Sequence, residues 1–275
     1  MPELPETETI ARDLDRAVSG ATIAGVKVHR ADVLRDITAA ALSRRVAGAR
    51  IERSYRRAKA VVILLDTNDR IVVQPRFTGA LLVDDGTLPA EALSYVTVSF
   101  SLHDGRALAY RDIRRLGTVV LMSPARFTKF DAALGPEPLD PAFTPQHLSG
   151  ILRDSRQAVK KLLMDQRRVA GVGNIYANEA LWRARIDPSR AAHRISDAET
   201  ASLHEGLTSV LREAIEARGT SFRDYRDASG ARGGFSGLLA AYGRGGLPCP
   251  RCGATLVDTS AVDGRTTVFC ARCQR

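Results

Sequence analysis

The chain has 275 residues, which predicts two domains with a small appendage as a further option, and this length allows a substantial core and excludes a disordered tail. Forty Lys and Arg residues against 31 Asp and Glu residues give a formal net charge of +9, which favours an anionic partner, with nucleic acid as the first candidate. The apolar runs are too short to span a bilayer and no secretory signal is visible, so we expect a cytoplasmic protein without membrane association.

The first six residues, Met1 to Glu6, predict a helix start. Pro5 suits the first helical turn, where the helix dipole also favours carboxylates. Apolar side chains recur every four residues beyond it, at Ile10, Leu14 and Val18. From this stretch alone, an acidic helix start is the simpler interpretation.

A second interpretation of the same stretch concerns Pro2. If an aminopeptidase removes Met1, the Pro2 nitrogen becomes a secondary amine that can attack carbon. An ordinary α-amino group has a pKa of roughly 7.7–8.0, so a useful fraction is neutral near physiological pH. Glu3 and Glu6 would keep carboxylates near this amine to move protons.

Residues 21–122 predict mostly strands. In the run from Val96 to Leu102, apolar and polar residues alternate as in a half-buried strand, and 70–73 and 118–121 are further β-rich runs. Several short strands at such spacing favour an antiparallel sandwich or barrel over a parallel sheet with crossover helices.

Residues 134–139 form a stiff, Pro-rich connection, after which helical patterns predominate. Helices are predicted within 144–186, with a break at 169–173. Ser196 and Glu199 form a capping-box pattern that opens another helix, with Gly219 as its stop. The glycine-rich segment 219–237 predicts a mobile loop rather than a packed element.

The four cysteines lie within the last 27 residues as two Cys-x2-Cys pairs separated by 17 residues: Cys249, Cys252, Cys270 and Cys273. Four thiolates at this spacing predict one tetrahedral structural zinc ion in a zinc ribbon or β-hairpin finger. Redox Cys-x-x-Cys pairs are the alternative, but no thioredoxin-like βαβ pattern surrounds them. The finger is basic, so we expect it to touch phosphate.

The stretch Gly-Val-Gly-Asn that ends at Asn174 lacks the third Rossmann glycine and a Walker lysine, so no nucleotide cofactor is expected. Asn174 is instead predicted to cap a helix whose amides can hold a DNA phosphate. Lys160 adds positive charge nearby, although a solvated basic face explains it equally well. By themselves, Lys59 in a predicted hairpin and the Arg114-Arg115 pair are most simply solvated side chains.

Six motifs follow one another along the chain. They are Pro-Glu-Leu-Pro-Glu at 2–6, Arg-Arg-Ala-Lys at 56–59, Leu-Gly-Pro-Glu-Pro-Leu at 134–139, Gly-Val-Gly-Asn-Ile-Tyr-Ala at 171–177, Tyr-Gly-Arg at 242–244 and the four-cysteine finger. With these motifs the chain resembles the bacterial formamidopyrimidine-DNA glycosylases, also called 8-oxoguanine DNA glycosylases, over essentially its full length.

The resemblance implies an α+β multi-domain fold. It places an antiparallel β-sandwich with flanking helices at the N-terminus and a helix-two-turns-helix domain with a β-hairpin zinc finger at the C-terminus. The expected boundaries are 1–133 for the catalytic domain, 134–142 for the linker, 143–241 for the helical domain with a lesion loop near 219–237, and 242–275 for the finger. The implied partner is duplex DNA containing oxidised bases, bound by a monomer in the bacterial cytoplasm.

The resemblance also implies a bifunctional DNA glycosylase and AP lyase of base excision repair. Pro2 would attack C1′ of the damaged nucleotide, expel the base and form an imine, after which β- and δ-elimination cut the strand. Glu3 matches the catalytic carboxylate of the family and Glu6 a supporting one. Lys59 matches the hairpin lysine that engages phosphate and assists as a proton donor.

Further residues match DNA contacts of the family. Asn174 and Arg265 align with phosphate contacts, and we expect Lys160 and Arg115 to contact DNA as well. The family usually fills the space vacated by the extruded base with Met, Arg and Phe; the matching residues here are Phe77, Arg114 and Leu116. Leu116 lacks an aromatic stacking surface, which leaves the opposite-base preference open.

Two other functions compete with this prediction. A glycosylase for oxidised pyrimidines of the endonuclease VIII type shares the proline, lysine and finger, although the linker motif and the long glycine-rich loop resemble the purine enzymes more closely. A non-catalytic damage-binding zinc protein would be favoured by retention of Met1, because no proline amine would then be free. It would leave the association of Glu3 and Lys59 with the proline unexplained.

Overall fold

A computed structural model describes residues 2–222 and 224–275 of the chain. It divides into two compact units, Met1–Ala132 with Ala217–Ser236, and Ala133–Glu216 with Gly237–Arg275. Nowhere in the described ranges does a helix have the length and apolar character that crossing a membrane requires.

The first unit combines helices with two antiparallel sheets. Its helices are α1 (Leu4–Val18), α2 (Ala39–Val46) and α3 (Pro124–Ala132), with a 3-10 turn at Ala31–Val33. Its strands are β1 (Ile23–Val28), β2 (Ile51–Arg57), β3 (Ala60–Leu65), β4 (Arg70–Gln74), β5 (Gly79–Asp84), β6 (Val96–Leu102), β7 (Ala107–Asp112) and β8 (Thr118–Met122).

The strands of the first unit are ordered β1-β6-β7-β5 in one sheet and β2-β3-β4-β8 in the other, and neighbouring strands are antiparallel. One hydrophobic core contains residues of both sheets and of α1, among them Leu14, Ile63 and Phe100. The antiparallel sandwich predicted from the alternating runs is therefore confirmed.

Strand β3 of the sheet β2-β3-β4-β8 is buried on both faces. Val61 and Ile63 point into the main core, whereas Ala60 and Val62 belong to a second cluster that includes Phe127 of α3. This double burial explains why β3 reads as a continuous apolar run rather than an alternating one.

Helix α1 begins as the sequence predicts. Glu3 is its N-cap and forms a capping box with Glu6, and Pro5 lies in the first turn. The periodic residues Ile10, Leu14 and Val18 are completely buried, so this face fixes the helix on the sandwich.

The glycine-rich segment packs into the first unit rather than lying free. The Val83 amide of β5 donates to the Ala228 carbonyl at 2.9 Å, and Tyr225, Ala228 and Phe235 are buried. The sequence assigned 219–237 to the helical domain and predicted a mobile loop, whereas residues 217–236 belong to the first compact unit. Arg223, within this predicted loop, lies outside the described residues.

The second unit is built from helices and a β-hairpin. Its elements are α4 (Pro145–Arg153), α5 (Val159–Met164), α6 (Asn174–Ala184), a 3-10 turn at Ala192–Arg194, α7 (Asp197–Glu216), β9 (Val257–Thr259) and β10 (Thr267–Phe269). A further 3-10 turn, Phe235–Leu238, spans the boundary between the units in sequence. Strands β9 and β10 pair antiparallel as the finger hairpin.

The two ends of α7 test the sequence rules. The Ser196 amide donates to Glu199 Oε2 at 2.9 Å and the Glu199 amide donates to Ser196 Oγ at 3.3 Å, so the predicted capping box is confirmed. Helix α7 ends at Glu216, before the predicted stop at Gly219. Arg218 already has a left-handed backbone with a φ of 60°, which helical residues do not adopt.

The prediction that Asn174 caps α6 is wrong by one position. Gly173 is the N-cap, with extended φ and ψ, and Asn174 is the first helical residue. The Asn174 side-chain amide instead donates to the Thr266 carbonyl in the finger at 3.0 Å. The Asn174 side chain thus connects the start of α6 to the finger and does not cap the helix.

Glu179 anchors the entrance of the finger to α6. Its carboxylate is completely buried and accepts the backbone N–H groups of Ala240, Ala241 and Tyr242 at 2.8–3.0 Å. Burial raises the pKa of Glu179, while the three backbone donors oppose the shift by favouring the carboxylate. This buried acceptor holds the chain that leads into the cysteine finger.

Candidate active site and nucleic-acid interface

The N-terminus of α1 gathers the predicted catalytic carboxylates. Pro2 is buried, and Glu3 and Glu6 are 2% and 1% exposed. The Glu3 amide donates to Glu6 Oε2 at 2.8 Å. The hydrogen bond that caps α1 also holds the Glu6 carboxylate at Glu3. A helix start and an active site are therefore compatible interpretations of this stretch. Met1, on whose removal the proline amine depends, lies outside the described residues.

The second oxygen of the Glu6 carboxylate binds the glycine-rich segment. Glu6 Oε1 accepts the Thr220 amide at 2.8 Å, and the Tyr225 hydroxyl lies 3.4 Å from the Glu6 carbonyl, to which it donates. Burial, followed by the charge of Glu6, raises the pKa of Tyr225. A Cβ on Gly219 would lie 2.9 Å from Glu6 Cγ, so this close approach requires glycine. Glu6 thus joins the start of α1 to the base of the segment.

Lys59 lies in the tight turn between β2 and β3 and is half-buried. Ala58 precedes it with a φ of 51°. Arg56 Nε donates to Glu8 Oε2 of α1 at 2.8 Å, and its Nη1 donates to the Ala58 carbonyl at 3.2 Å. Although burial opposes the shift, Arg56 and Arg12 lower the pKa of Glu8. Arg56 therefore connects the lysine turn to the helix whose N-terminus carries the predicted catalytic carboxylates.

The predicted void-filling residues lie on two neighbouring exposed turns. Phe77 and Leu116 are 46% and 42% exposed, and Arg114 is exposed as well. The Arg114 guanidinium carbon lies 5.2 Å from the centroid of the Phe77 ring, a cation–π contact. Phe77 and Arg114 thus form one surface, although they come from separate turns.

Buried Asp112 holds these two turns together. It accepts a short hydrogen bond from the Thr78 hydroxyl and one of 2.8 Å from the Gly117 amide, and the Arg114 amide donates to Thr78 Oγ1 at 3.0 Å. The Tyr110 hydroxyl also donates to Asp112 at 3.2 Å, and burial, followed by the Asp112 charge, raises the pKa of Tyr110. One carboxylate therefore links the two turns that carry the predicted void-filling residues.

Arg115 follows this surface in a left-handed conformation with a φ of 53°. Its guanidinium forms an ion pair with Asp32 at 2.9 Å, and both side chains are about half exposed. An exposed pair of this kind contributes little stability, so breaking it to bind a phosphate instead would cost little free energy.

Lys160 does not lie where a phosphate contact requires. It is completely buried, and its ammonium donates to the Thr266 carbonyl at 3.0 Å and to Thr267 Oγ1 at 2.6 Å, with Asp263 at 3.6 Å. The sequence pattern of adjacent lysines does not show which one is buried. The structure makes Lys160 a support of the finger, while neighbouring Lys161 is exposed.

Arg265 and Asn174 meet at the same finger turn. Arg265 is exposed, and its amide donates to Asp263 Oδ1 at 3.1 Å. Asn174 reaches the carbonyl of Thr266, and Asn178 one turn later accepts the Val268 amide at 2.7 Å. Helix α6 therefore fixes the hairpin that presents Arg265.

The four cysteines form a cluster in which the sulfur atoms all lie within 4.8 Å of one another. A tetrahedral zinc ion with Zn–S bonds of about 2.3 Å separates its sulfurs by about 3.8 Å, so the cluster fits one such ion. The prediction of one structural zinc ion is confirmed by this geometry and by the match of residues 246–275 to a zinc-finger family. With four protein ligands, the ion stabilises the finger and leaves no position for substrate.

Three family models cover most of the chain. The formamidopyrimidine-DNA glycosylase N-terminal domain matches residues 1–119, the H2TH domain of the same enzymes matches 134–226, and a zinc finger found in FPG and IleRS matches 246–275. A formamidopyrimidine-DNA glycosylase from Roseiflexus sp. (strain RS-1) is 40% identical over 278 residues, which cover 100% of both chains. The chain belongs to the formamidopyrimidine-DNA glycosylase family.

Solved structures of the family share this fold. The MutM (Fpg) protein of Thermus thermophilus is 36% identical with a TM-score of 0.87, over 99% of this chain and 98% of that one. Lactococcus lactis Fpg, crystallised with DNA containing N7-benzyl-Fapy-dG, is 30% identical with a TM-score of 0.91 over 100% of both chains. The predicted family, fold and enzyme class, a base-excision-repair DNA glycosylase with AP lyase activity, are confirmed.

Several supporting residues of this glycosylase escaped the sequence analysis. Arg56 and Glu8 fix the lysine turn, Asp112 fixes the void-filling turns, and Thr220 pairs with Glu6. Each acts through a partner distant in sequence or through its backbone, which a local pattern does not reveal. The sequence around Asp112 also gives no signal of its burial, because this residue ends β7 between Arg111 and Ile113 in a stretch rich in charge.

Replacing Asp112 by Ala should loosen both void-filling turns. Three donors would lose a buried acceptor, which we expect to cost roughly 2–4 kcal/mol of unfolding free energy. Thermal unfolding measures that loss, and excision of a damaged base placed opposite each of the four bases measures discrimination, which should fall. Asp104→Ala is the control, because Asp104 lies in an exposed hairpin of the same sheet. Unchanged discrimination in Asp112→Ala would refute this role.

Replacing Lys160 by Met tests whether it supports the finger. The substitution leaves the buried side chain of Asp263 without its cation, so we expect faster zinc release to a chromogenic chelator. A phosphate contact would instead leave zinc release unchanged and reduce the salt dependence of DNA binding by about one unit of slope. Lys161→Met, at the exposed neighbour, is the matched control.

Proposed function

We propose that the protein removes oxidised purines, 8-oxoguanine and formamidopyrimidines, from duplex DNA and then cuts the strand by β- and δ-elimination. The observation that carries the proposal is the arrangement of α1: Pro2 and Glu3 directly precede it, Glu6 lies in its first turn, and Arg56 connects it to the Lys59 turn. The names of the relatives and the Fapy-dG DNA bound to the Lactococcus protein support the same substrate class.

In the first step, the unprotonated nitrogen of Pro2 attacks C1′ of the damaged nucleotide. A nitrogen–carbon bond forms while the glycosidic bond breaks and the departing base takes the electron pair. The nitrogen then loses its proton, which balances the proton that the base takes up. Glu3 then acts at the sugar oxygen: as the C1′–O4′ bond breaks to give the iminium, O4′ receives a proton. Glu6 keeps Glu3 in place through the hydrogen bond to its amide.

The second step uses the iminium as an electron sink. It acidifies C2′, so loss of a C2′ proton expels the 3′ phosphate, and a second elimination expels the 5′ phosphate. Lys59 binds the phosphate beside the lesion and assists as a proton donor. Its position relative to α1 is fixed because Arg56 connects its turn to that helix. Water then releases the sugar fragment from Pro2 and restores the amine.

Contacts from the second unit hold the DNA backbone. Arg265 is exposed on the finger turn, and Asn174 lies at the start of α6 where backbone amides point outward. Arg115 adds a cation beside the void-filling turns. Lys160 acts indirectly, since it supports the turn that carries Arg265.

Phe77, Arg114 and Leu116 occupy the space that the extruded base leaves. Phe77 inserts as an apolar wedge and stacks on a neighbouring base, and Arg114 hydrogen-bonds the orphaned base. The segment 219–237 closes over the extruded nucleobase, and the start of this segment is fixed to Glu6.

Reduction with borohydride should trap the wild-type protein covalently on a duplex with 8-oxoguanine opposite cytosine, because reduction converts the iminium to a stable amine. Pro2→Gly should trap far less. Intact mass spectrometry should show that Met1 is absent from the active protein, and any fraction that retains Met1 should remain untrapped.

Lys129→Ala, at an exposed lysine of α3, is the control for nonspecific trapping of amines and should behave as wild type. Equal trapping of Pro2→Gly and wild type would exclude Pro2 as the nucleophile. Faster excision of thymine glycol than of 8-oxoguanine would instead assign the protein to the pyrimidine-specific enzymes.

Phe77 should matter more than Leu116 for excision. Base–aromatic stacking contributes about 1–3 kcal/mol, so Phe77→Ala should slow single-turnover excision roughly tenfold or more. Leu116→Ala removes no aromatic surface and should have a smaller effect, whereas Leu116→Phe should change the order of preference among the four opposite bases. Equal losses in Phe77→Ala and Leu116→Ala would contradict the assignment of stacking to Phe77.

A further inference from the structure

Arg218 occupies a backbone conformation that disfavours arginine. It has a φ of 60°, and Gly219 follows at 85°. A non-glycine residue in the left-handed region costs on the order of 1 kcal/mol and persists only when its surroundings hold it. The contacts of its side chain show what holds it.

The Arg218 guanidinium bridges two carboxylates. Its Nη2 lies 2.5 Å from Asp13 Oδ2 on α1, and Nε and Nη2 lie 3.0 and 2.6 Å from Asp227 Oδ2. Hydrogen bonds to the two carboxylates raise the pKa of Arg218. These contacts connect α1 to both the beginning and the middle of the glycine-rich segment.

Asp227 organises the far arm of the segment. It is 1% exposed, and its Oδ1 accepts the amides of Ser229 at 3.0 Å and Ala231 at 2.9 Å and the Ser229 hydroxyl at 2.7 Å. Burial opposes ionisation, but these donors and Arg218 lower the pKa of Asp227. The carboxylate that Arg218 holds is therefore the one that shapes the turn at 227–231.

The near arm is fixed to α1 at a second point. Thr220 donates to Glu6, and Asp13 lies seven residues after Glu6, two helical turns along the same face. The two arms meet at a bridge between Thr220 and Gly234, and the Gly233 amide donates to Ser221 Oγ at 2.9 Å. The base of the segment is thus held to α1 by Glu6 and by the Asp13–Arg218–Asp227 bridge.

We propose that Arg218 is a positioning residue for base excision. It fixes the start of the 219–237 segment on α1. The segment then holds an extruded nucleobase in line with the nitrogen of Pro2, which lies at the N-terminus of the same helix. This inference rests on the proposed function, in which the segment closes over the base. An abasic site carries no base to hold, so cleavage there does not depend on Arg218.

Arg218→Gly is the informative variant, since glycine keeps the left-handed backbone without strain while the bridge is lost. We expect single-turnover excision of 8-oxoguanine to fall roughly tenfold, as misplacement of a reacting group costs rate. Cleavage of a duplex with a preformed abasic site should stay within about twofold of wild type, because the elimination groups are untouched.

Asp13→Asn separates positioning from bulk charge. Losing a cation in Arg218→Gly weakens the general attraction to DNA, whereas losing an anion in Asp13→Asn strengthens it. The bridge predicts slower excision in both variants, with abasic cleavage preserved. Arg45→Ala, which removes an arginine paired with Asp69 elsewhere in the first unit, should leave both activities unchanged.

Three outcomes would overturn the inference: unchanged excision in Arg218→Gly, equal losses of excision and abasic cleavage with unchanged thermal unfolding, or opposite effects of Arg218→Gly and Asp13→Asn. If Arg218→Gly fails to fold, Asp13→Asn decides, because Arg218 keeps Asp227 in that variant. Absence of both activities from the wild-type protein would instead reject the proposed function.

Discussion

The buried carboxylate of Glu6 fixes the N-terminus of the first unit. A carboxylate at 1% exposure is costly unless its oxygens find donors. One oxygen takes the Glu3 amide and the other the Thr220 amide, 214 residues away in sequence. Both oxygens of the buried carboxylate therefore have donors, and the second of these donors fixes the glycine-rich segment to the start of α1.

The same division of labour recurs across both units. Residues assigned to chemistry or DNA contact, such as Lys59, Arg114 and Arg265, lie on turns, and a polar group fixed by neighbouring elements lies behind each turn. Arg56 donates to the Ala58 carbonyl in the turn of Lys59. Asp112 accepts from the Thr78 hydroxyl, which in turn accepts from the Arg114 amide. Turns supported in this way keep their geometry while their working side chains remain accessible, which preorganisation requires.

Local rules predicted much of this architecture because many elements depend on local causes. The alternation in β6 and the capping box of α7 are short-range patterns, and the cysteine spacing needs only a hairpin. The burial of Lys160 and the packing of 219–237 depend on tertiary partners. Lys160 meets Thr266, 106 residues later, so its ammonium is satisfied where the sequence showed only a basic pair. The prediction that Asn174 caps α6 failed for a related reason. Its side chain binds the Thr266 carbonyl, which is distant in sequence.

The predicted void-filling residues differ from the pattern that the family resemblance implies, and this difference has a structural consequence. Aromatic surface moves from the turn of Leu116 to that of Phe77, where Arg114 already lies over the ring. Both turns depend on Asp112, so the exchange alters the stacking surface without altering its support. Stacking tolerates any base, whereas hydrogen bonds distinguish them. In the proposed function, discrimination of the opposite base therefore depends on Arg114, which contacts the Phe77 ring and is linked through Thr78 to the buried carboxylate.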